Sequence, residues 1–491
     1  MVNIGFLPYS VGGTEVYTFN LAKDLIERGH QVIVFTARND LSFRQYHVIK
    51  EEISGIPVFS VVNSPFFSRS YLDYFLNPQI DQIFEAFLEE EKPDLIHFQH
   101  LAYLSGNLPE IAFNSKIPSV ATIHDYWYLC FRSQLIKPDG NICVGPGDGY
   151  RCATCDNGTS PNPTAVPRYP ELVQFINTPK IKQKIESLLA YMPDEMIAQA
   201  RTFLFKRLNG GKSFSSNPSM EKLLENQFRV AHFKKQLAYP KIVISPSYHL
   251  KKRYEQEGYS NIKELPLGFH PVKKVDYLDF NGKLKLTFIG NLARHKGLHV
   301  ILNELFPLLT QNLNFELNVY GHTNDSIYLK MIRTLAQKFP PGRIIFHGRY
   351  DSKKDMPHIF SNTHITIFPS VWEENHPLVL RESILYGIPV IASNLGGAPE
   401  IIKHMHNGLL FDPHNHGELA ENLNMIYSNI DVLNNLRQNA ITTEVETFDN
   451  HIFRLVNIYF EVLQNGNAVY ENKQTDCFNE ILESESANTA F

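Results

Sequence analysis

Short apolar runs alternate along this chain with segments of helical periodicity, and this alternation restricts the fold more than any other feature of the sequence. In the first half, the predicted strands cover 3–7, 31–35, 95–98, 119–123 and 241–245. After 266–268, the predicted strands cover 284–289, 315–320, 344–347, 365–369 and 389–393. Helical segments such as Thr14–Arg28 and Leu298–Leu309 separate them. Apolar strands separated by amphipathic helices are typical of α/β domains with parallel sheets.

The two series predict two Rossmann-like βαβ domains that face each other across a cleft. We place the N-terminal domain at 1–270 and the C-terminal domain at 283–447. A helix at 448–465 is a candidate to cross back to the N-terminal domain, and 466–491 is predicted to be a flexible tail. Because open α/β sheets bind ligands at the carboxyl ends of their strands, the cleft is the predicted ligand site.

Charge and hydropathy exclude some classes of protein. The 491 residues carry a formal net charge of −5, which argues against a nucleic-acid-binding protein. No apolar stretch approaches the ~20 residues that a membrane-spanning helix needs. The N-terminus lacks the basic and apolar regions of a signal peptide. The predicted location is therefore the cytoplasm.

Two carboxylates stand eight positions apart in the segment 368–393. Glu374 is predicted on a loop after a strand, and Glu382 on the helix that follows near Pro377. Two acids so placed can accept hydrogen bonds from paired hydroxyls of one ligand. Their spacing alone favours the simpler interpretation, which is one surface acid and one acid on a helix face.

The same segment resembles the E-x7-E motif of glycosyltransferase family 4, including the strand that ends Pro-Val-Ile-Ala-Ser393. The resemblance implies a GT-B fold and retaining transfer of a sugar from a nucleotide-sugar donor. It also implies that Glu374 approaches the donor sugar and that Glu382 binds the nucleotide ribose. The family usually has Pro-Phe-Gly after the first acid, whereas this chain has Asn-His-Pro at 375–377. That departure bears on which donor sugar fits.

Three Gly-containing segments match further motifs of this family in the expected order. Gly12-Gly13 resembles its G-G-x-E loop, Gly290–Gly297 its phosphate-binding segment, and Gly396-Gly397 its GG-x-P-E turn. Glycines let the backbone approach a ligand, and helix N-termini favour phosphate. Each segment alone would read as a tight turn.

The phosphate-binding segment departs from the family at one position. By resemblance, Lys296 and an arginine neutralise the donor diphosphate in place of a metal ion. Asn291 stands where the arginine is expected, and Arg294, three residues later, is predicted to reach the same phosphates. No catalytic metal and no other cofactor is therefore expected.

The resemblance also places a histidine in the first domain, which in this fold generally receives the acceptor. His124 follows a predicted strand and would contact the donor sugar near the transferred bond, so that His124, Glu374 and Lys296 are the predicted catalytic residues. His100 is a secondary candidate. A histidine at the end of a strand is otherwise most often structural.

Four of the five cysteines cluster in the predicted loop 130–155. Cys130, Cys143, Cys152 and Cys155 would form either a structural zinc site or four reduced thiols, because only the last two have the CxxC spacing. A subset of the family resembles this chain in having cysteines at this point.

A predicted helical insertion at 157–240 interleaves basic with apolar residues. It includes Lys206, Arg207 and Lys212, and it is either a solvated cover of the domain or a surface for anionic lipid, which would make the protein peripheral on the cytoplasmic face of a membrane.

Two other functions stay open beside the transferase. A nucleotide-sugar 2-epimerase of GT-B fold would convert the donor without an acceptor. A degenerate, non-catalytic partner subunit would also be consistent with Asn291. The sequence does not identify the nucleotide base, the donor sugar or the acceptor, which is a saccharide, a lipid-linked molecule or a small molecule.

Overall fold

The structure is a computed structural model that describes residues 1–64, 71–155, 220–311, 313–323, 325–351 and 354–464. The strands are β1 Val2–Asn3, β2 Val34–Arg38, β3 Val48–Ile53, β4 Ile56–Val62, β5 Ile96–Phe98, β6 Ser119–Thr122, β7 Ile242–Ser245, β8 Ile262–Glu264, β9 Leu284–Ile289, β10 Phe315–Tyr320, β11 Ile344–Gly348, β12 Ile365–Phe368, β13 Val390–Ser393 and β14 Gly408–Phe411. The helices are α1 Gly13–Glu27, α2 Pro78–Glu91, α3 Leu108–Asn114, α4 Tyr150–Cys155, α5 Met220–Gln236, α6 Tyr248–Gln256, α7 Leu298–Leu305, α8 Ser326–Ala336, α9 Met356–Ser361, α10 Leu378–Leu385, α11 Ala398–Ile401, α12 Glu418–Ser428, α13 Ile430–Thr442 and α14 Phe448–Gln464.

The first sheet has the strand order β3-β4-β2-β1-β5-β6-β7-β8. All of its pairs are parallel except β3 with β4. Every residue of β6 and β7 is buried, because helices cover both faces of a parallel sheet. Aromatic rings fill much of the core on one face, where Phe35 lies 5.0 Å from both Phe84 and Phe87.

The second sheet has the order β11-β10-β9-β12-β13-β14, and all of its pairs are parallel. In both sheets the strand order reverses next to the first strand, at β1 and at β9. Ligands of such sheets bind where the order reverses, outside the carboxyl ends of the strands. The predicted α/β class with two mostly parallel sheets is confirmed.

Several predicted bounds change in the structure. The first strand covers Val2–Asn3 rather than 3–7, because the Asn3 amide donates to the Gly5 carbonyl at 2.9 Å and the chain turns. Helix α7 ends at Leu305, since Pro307 has no N–H with which to continue it.

Parts of the predicted insertion and tail lie outside the described residues. Of the insertion 157–240 the structure describes 220–240, which includes α5, and the basic residues Lys206, Arg207 and Lys212 fall in the part that is not described. The tail 466–491 is likewise not described. Among the described residues, no helix is long and apolar enough to cross a membrane.

The C-terminal helix α14 packs against the first domain. Phe448, Ile452 and Leu455 are buried in one cluster with Phe6 and Leu21. The helix follows a second crossing of the chain between the domains, directly beside the first crossing. There Phe269 N–H donates to the Glu446 carbonyl, and Phe448 N–H donates to the Phe269 carbonyl, each at 2.9 Å.

Candidate active site

Three loops at the carboxyl edge of the second sheet form one wall of the candidate site. They follow β9, β12 and β13, which are neighbours in the sheet, and they comprise residues 290–297, 369–377 and 394–397. Because parallel strands end at the same edge, these loops lie side by side although about a hundred positions separate the first from the last.

Gly297 holds the first loop against the second. Its φ of 75° lies in the left-handed region, and a Cβ at this position would come within 1.8 Å of the Pro369 carbonyl oxygen. Only glycine permits so close an approach. Val371 N–H also donates to the His295 carbonyl at 3.0 Å. Lys296, between His295 and Gly297, is thereby fixed beside the loop that carries Glu374.

Lys296 and Glu374 form an ion pair in the cleft. Lys296 Nζ lies 2.8 Å from Glu374 Oε1, and the two side chains are 24% and 10% exposed. Little water reaches the pair, so its charges are screened less than those of a surface ion pair. Lys296 Nζ also lies 5.7 Å from the centre of the Trp372 ring. The structure thus brings together two of the predicted catalytic residues.

Gly396 and Gly397 support the loop that carries Glu374 from the other side. A Cβ on Gly396 would lie 2.4 Å from the Glu374 carbonyl oxygen, and one on Gly397 would lie 1.9 Å from that of Asn375. Gly397 N–H donates to the Glu374 carbonyl at 2.7 Å. This N–H is therefore engaged within the protein, where it positions the loop that carries Glu374, and a contact of Gly396 and Gly397 with the donor stays a prediction.

Glu382 lies half-buried on α10. Burial raises the pKa of its carboxyl group from 4.5 to about 7. Its charge in turn contributes to the raised pKa of Tyr350 and Tyr386, so both rings are near it. Within the described part of the chain, Glu382 has no hydrogen-bond or ion-pair partner. It is a desolvated acceptor available to a ligand.

Arg294 points away from the ion pair. It lies with Lys296 on a 3₁₀ turn, Arg294–Lys296, and its guanidinium contacts Met331 Sδ on α8 at 3.9 Å. Burial, followed by the charge of Arg294, lowers the pKa of His299 to about 4. Asn291 is exposed. The structure therefore brings neither Arg294 nor Asn291 into contact with Glu374, and their contact with phosphate stays a prediction.

His124 lies across the cleft, after β6 of the first sheet. Its Nε2 is 2.7 Å from Gln99 Oε1, and its ring centre is 5.4 Å from that of Tyr17. Burial, and then the charge of His100, lower the pKa of His124 to about 3. The imidazole is therefore neutral at physiological pH.

The Gly12-Gly13 loop begins α1, with Gly12 as the N-cap. A Cβ on Gly12 would lie 2.6 Å from Glu15 Oε2, and one on Gly13 would lie 3.7 Å from Leu378 of α10. Glu15 is buried and accepts from Ser10 Oγ at 2.6 Å. The loop therefore faces the helix that carries Glu382, and its acid serves to hold the loop itself.

Asn375 joins the two walls of the cleft, a role that the sequence did not reveal. Its Nδ2 donates to the His124 carbonyl at 2.9 Å, and its Oδ1 accepts from Ser247 Oγ. Its neighbour Glu373 accepts from Tyr126 through its carbonyl at 2.9 Å. The only signal in the sequence was that Asn375 departs from the family motif.

Two further acids of the second domain meet α6 of the first. Glu373 Oε2 lies 3.2 Å from Arg253 Nε and 3.5 Å from His249 Nε2. Glu400 accepts the backbone N–H groups of Tyr248 and His249 at the N-terminus of α6. Acids at a helix N-terminus are favoured by the helix dipole. These contacts hold the domains together around the site.

His376 is a buried polar side chain without a partner among the described residues. Both of its ring nitrogens are shielded from water and make no hydrogen bond. The ring stacks on Phe269, with centres 6.0 Å apart, and burial lowers its pKa well below the usual value. Because an unsatisfied buried polar group costs free energy, a ligand hydroxyl that hydrogen-bonds to His376 would be favoured at this position.

The four clustered cysteines are thiols, not disulfides. Burial, and then the charge of Cys130, raise the pKa of Cys152 to about 12. Among the described residues, no group of three or more histidine, cysteine or acidic side chains is arranged to hold a metal ion. Of the two predicted alternatives, the structure supports the thiols and gives no support to zinc.

The two halves of the chain match two family models. Residues 11–143 match Glycosyltransferase Family 4, and residues 272–443 match Glycosyl transferases group 1. The putative glycosyltransferase YtcC of Bacillus subtilis is 28% identical over 197 residues, which are 38% of this chain and 48% of that protein. Spore coat protein SA of the same organism is 27% identical over 31% of this chain and 41% of that protein. The chain thus spans about half the length of the curated relatives it matches.

Solved structures resemble the whole fold. Sucrose-phosphate synthase from Thermosynechococcus elongatus is 16% identical and has a TM-score of 0.57 over 94% of this chain and 96% of its own. Anabaena HepE in complex with UDP and glucose is 15% identical, with a TM-score of 0.54 over 93% of this chain and 98% of its own. The two facing α/β domains are those of the GT-B fold.

The two matched domains together cover more than half of the chain. The chain therefore carries two glycosyltransferase domains, and they are arranged in a GT-B fold. Its family 4 domain carries His124, and its group 1 domain carries Lys296, Glu374 and Glu382.

The raised pKa of Glu382 predicts a pH-dependent stability that Glu382→Gln should remove. Because the pKa in the folded protein is about 7 and the ordinary value is 4.5, the folded state binds this proton more tightly than the unfolded chain. The resulting stabilisation is complete below pH 4.5 and is lost as the pH rises through 7. We expect Glu382→Gln to gain on the order of 1–3 kcal/mol relative to the wild type between pH 5 and pH 8.

Urea denaturation at the two pH values measures this gain as a change in midpoint. Glu421→Gln, at an exposed position of α12, is the matched control and should follow the wild type. If Glu382→Gln also follows the wild type at both pH values, Glu382 is not held in a desolvating site.

Proposed function

We propose that this protein is a retaining, metal-independent glycosyltransferase that moves a sugar from a nucleoside-diphosphate sugar to an acceptor. The observation that carries the proposal is the Lys296–Glu374 ion pair, 2.8 Å long, held between two glycine turns. Glu382 lies on the helix that follows Glu374, and the neutral His124 lies across the cleft. The similarity to the putative glycosyltransferase YtcC supports a transferase, and the complex of the structurally similar HepE with UDP and glucose supports a nucleotide-sugar donor.

The donor is proposed to lie along the carboxyl edge of the second sheet. Glu382 accepts from the ribose hydroxyls, because a half-buried carboxyl group without a partner suits a pair of hydroxyl donors. Lys296 neutralises the diphosphate, and Glu374 binds the sugar. HepE is described in complex with UDP and glucose, which supports such a donor for this chain.

Donor binding requires Lys296 to exchange partners. In the structure its ammonium group is paired with Glu374. The diphosphate carries more charge than one carboxylate and therefore competes for Lys296. The exchange releases a Glu374 oxygen, which can then accept from a hydroxyl of the sugar. The same ion pair thus supplies a cation for the diphosphate and a hydrogen-bond acceptor for the sugar.

The proposed reaction breaks the bond between the anomeric carbon and the phosphate oxygen and forms a bond from the acceptor oxygen to the same face of that carbon. The acceptor proton passes to the departing phosphate oxygen. Lys296 stabilises the negative charge that develops on that phosphate, and fixed donors aimed at developing charge are often the largest catalytic term. The neutral imidazole of His124 can bind a sugar hydroxyl without adding a charge.

The cleft also has to exclude water, which would otherwise hydrolyse the donor. The contacts of Asn375 with His124 and Ser247 close the site around the transferred bond. The contacts of Glu373 and Glu400 with α6 also help to keep the cleft closed to water.

Purified protein and a panel of UDP-, GDP- and ADP-sugars distinguish this proposal from its alternatives. Slow hydrolysis of one donor, or its transfer to a mixed acceptor pool with retained anomeric configuration by NMR, supports the transferase. Conversion of the donor at C2 without an acceptor identifies an epimerase. Nucleotide binding without any turnover identifies a non-catalytic partner subunit.

Lys296 and Glu374 should differ in their effects on binding and turnover. We expect Lys296→Ala to weaken nucleoside-diphosphate binding about 10–100-fold, because it removes a hydrogen bond to a charged group. Glu382→Ala should lose most nucleotide binding as well. Glu374→Gln should leave nucleotide affinity unchanged or higher, since Lys296 loses its competing partner, while kcat falls roughly 10²–10³-fold.

Calorimetry with UDP, GDP and ADP, combined with donor turnover, measures both effects. Lys330→Ala, at an exposed position of α8, is the matched control. Unchanged nucleotide binding in Lys296→Ala and Glu382→Ala would mean that the donor site has been assigned to the wrong residues.

Activity should survive excess EDTA, because Lys296 takes the place of a divalent ion at the diphosphate. We expect the rate to stay within about twofold of its value without chelator, well below the roughly 10²–10³-fold loss that removal of one electrostatic donor causes. A larger loss that Mg²⁺ or Mn²⁺ restores would contradict the metal-independent mechanism.

His376 is proposed to select the donor sugar. A hydroxyl that bonds to its unsatisfied ring nitrogens would be favoured by about 1–3 kcal/mol over a sugar that lacks it. His376→Phe restores the residue usual in the family and should lower kcat/KM for the preferred donor about 10–100-fold, without lowering the unfolding temperature. The exposed substitution His358→Phe is its control. If His376→Phe leaves the ratio of kcat/KM among donors unchanged, His376 does not select the donor sugar.

A further inference from the structure

A cavity of about 250 Å³ opens in the first domain, beside the donor-facing His124. It lies outside the carboxyl ends of three adjacent strands, since Ile4 follows β1, His100 follows β5 and Asp125 follows β6. Asp125 is also the next residue after His124. The cavity thus adjoins the cleft on the wall opposite the donor residues.

Aromatic rings form most of the walls of this cavity. They are Tyr71, Tyr74, Phe75, Tyr103, Trp127 and Phe131. Phe75 and Trp127 are core residues, whereas Tyr103 is 44% exposed and lies at the surface. The guanidinium of Arg229 lines the cavity as well, and one of its nitrogens donates to the Trp127 carbonyl.

A histidine and a carboxylate form a hydrogen-bonded pair in the lining of the cavity. His100 Nδ1 accepts from Ala102 N–H at 3.1 Å, so the proton of a neutral ring is on Nε2. That nitrogen donates to Asp125 Oδ2 at 3.3 Å, while Asp125 Oδ1 accepts from Trp127 N–H at 2.7 Å. Each oxygen of Asp125 keeps a further lone pair, and its side chain is 30% exposed. Asp125 is therefore an oriented acceptor with capacity left for a ligand.

We propose that this cavity is the acceptor subsite and that it binds a neutral saccharide. Pyranose rings present C–H faces, which pack on aromatic rings, and hydroxyl groups, which need hydrogen-bond partners. The cavity offers both, because its walls are aromatic and Asp125 stands at the side next to His124. The inference rests on the proposed transferase function and names the class of its acceptor.

The size of the cavity and the charges of its lining restrict the class of acceptor further. Pockets for drug-sized ligands measure roughly 300–1,000 Å³, so a cavity of about 250 Å³ encloses one sugar ring and leaves further residues of a glycan outside. The lining carries one carboxylate and one guanidinium, which favours a neutral ring over a phosphorylated one. A larger cavity of about 520 Å³ lies at the amino ends of the strands, next to Met1, Leu95 and Tyr459, whereas His124 follows the carboxyl end of β6 at the opposite edge of the sheet.

Asp125 is a positioning residue in this proposal. It accepts from an acceptor hydroxyl and orients that oxygen toward the donor, while the proton of the reacting hydroxyl still passes to the departing phosphate. His100 keeps the carboxylate in place through its hydrogen bond to Asp125 Oδ2.

Tryptophan fluorescence tests binding without any turnover. The chain has two tryptophans, Trp127 in the cavity wall and Trp372 beside Lys296. In Trp372→Phe protein, Trp127 is the only reporter. We expect saturable quenching or enhancement with at least one methyl glycoside from a panel of glucose, galactose, mannose and N-acetylglucosamine derivatives. We expect Asp125→Asn in this background to weaken that binding about tenfold.

Turnover provides the second arm of the test. With the acceptor identified by fluorescence, Asp125→Asn and Tyr103→Ala should each raise its KM about tenfold or more, while affinity for the nucleoside diphosphate stays unchanged. Tyr150→Ala, at a 56% exposed position of α4, is the matched control and should retain the wild-type KM.

The outcomes separate this inference from the proposed function. If the wild type binds and hydrolyses a nucleotide sugar but no glycoside changes Trp127 fluorescence, the transferase stands and the acceptor subsite is wrong. The same conclusion follows if Asp125→Asn and Tyr103→Ala both leave the acceptor KM unchanged. If no nucleotide sugar binds or turns over, the proposed function fails, whatever the cavity binds.

Discussion

Residues 373–376 contact both domains, and the geometry of the whole site depends on how they are held. The Glu374 carbonyl accepts from Gly397 N–H, and the Asn375 side chain bonds to His124 and Ser247 of the other domain. If this loop moved, Glu374 would change its position relative to His124 of the other domain. A site assembled from two domains therefore keeps its alignment through one short segment.

The electrostatics of the site follow from the exclusion of water. Buried histidines on both walls are neutral, because desolvation lowers the pKa of His124 to about 3 and that of His295 to about 4. Lys296 is paired with Glu374. The Lys296–Glu374 ion pair therefore lies beside neutral histidines, and its cation is suited to an anionic leaving group. In such surroundings a fixed charge acts more strongly than it would in water.

The sequence predicted the second domain better than the first, for a physical reason. Strands buried on both faces form continuous apolar runs, and β9 and β10 have the predicted bounds. The hairpin of β3 and β4 was missed, because β3 alternates partly buried with exposed residues at the edge of the sheet. The motif residues Lys296 and Glu374 were identified, but 78 positions separate them and only the fold brings them into contact.

The contacts of single side chains could not be predicted in the same way. Arg294 and Lys296 are two positions apart on a tight turn and therefore point to different sides, a distinction that sequence spacing does not reveal. The bridging role of Asn375 depends on the position of the other domain, and so does the partnerless state of His376. The aromatic cavity draws on segments from Ile4 to Arg229. Such features depend on tertiary structure and cannot be predicted from the local sequence pattern.

The paired crossings of the chain between the domains have a mechanical consequence. Phe269 makes two backbone hydrogen bonds, one to Glu446 and one to Phe448, so the two segments that connect the domains lie side by side. Two adjacent connecting segments can bend together, but they cannot twist about each other without breaking those hydrogen bonds. A hinge of this kind permits rotation about one axis and opposes the others. A rotation that opens and closes the cleft would thus follow a single arc and would return His124 to the same place opposite Lys296 and Glu374.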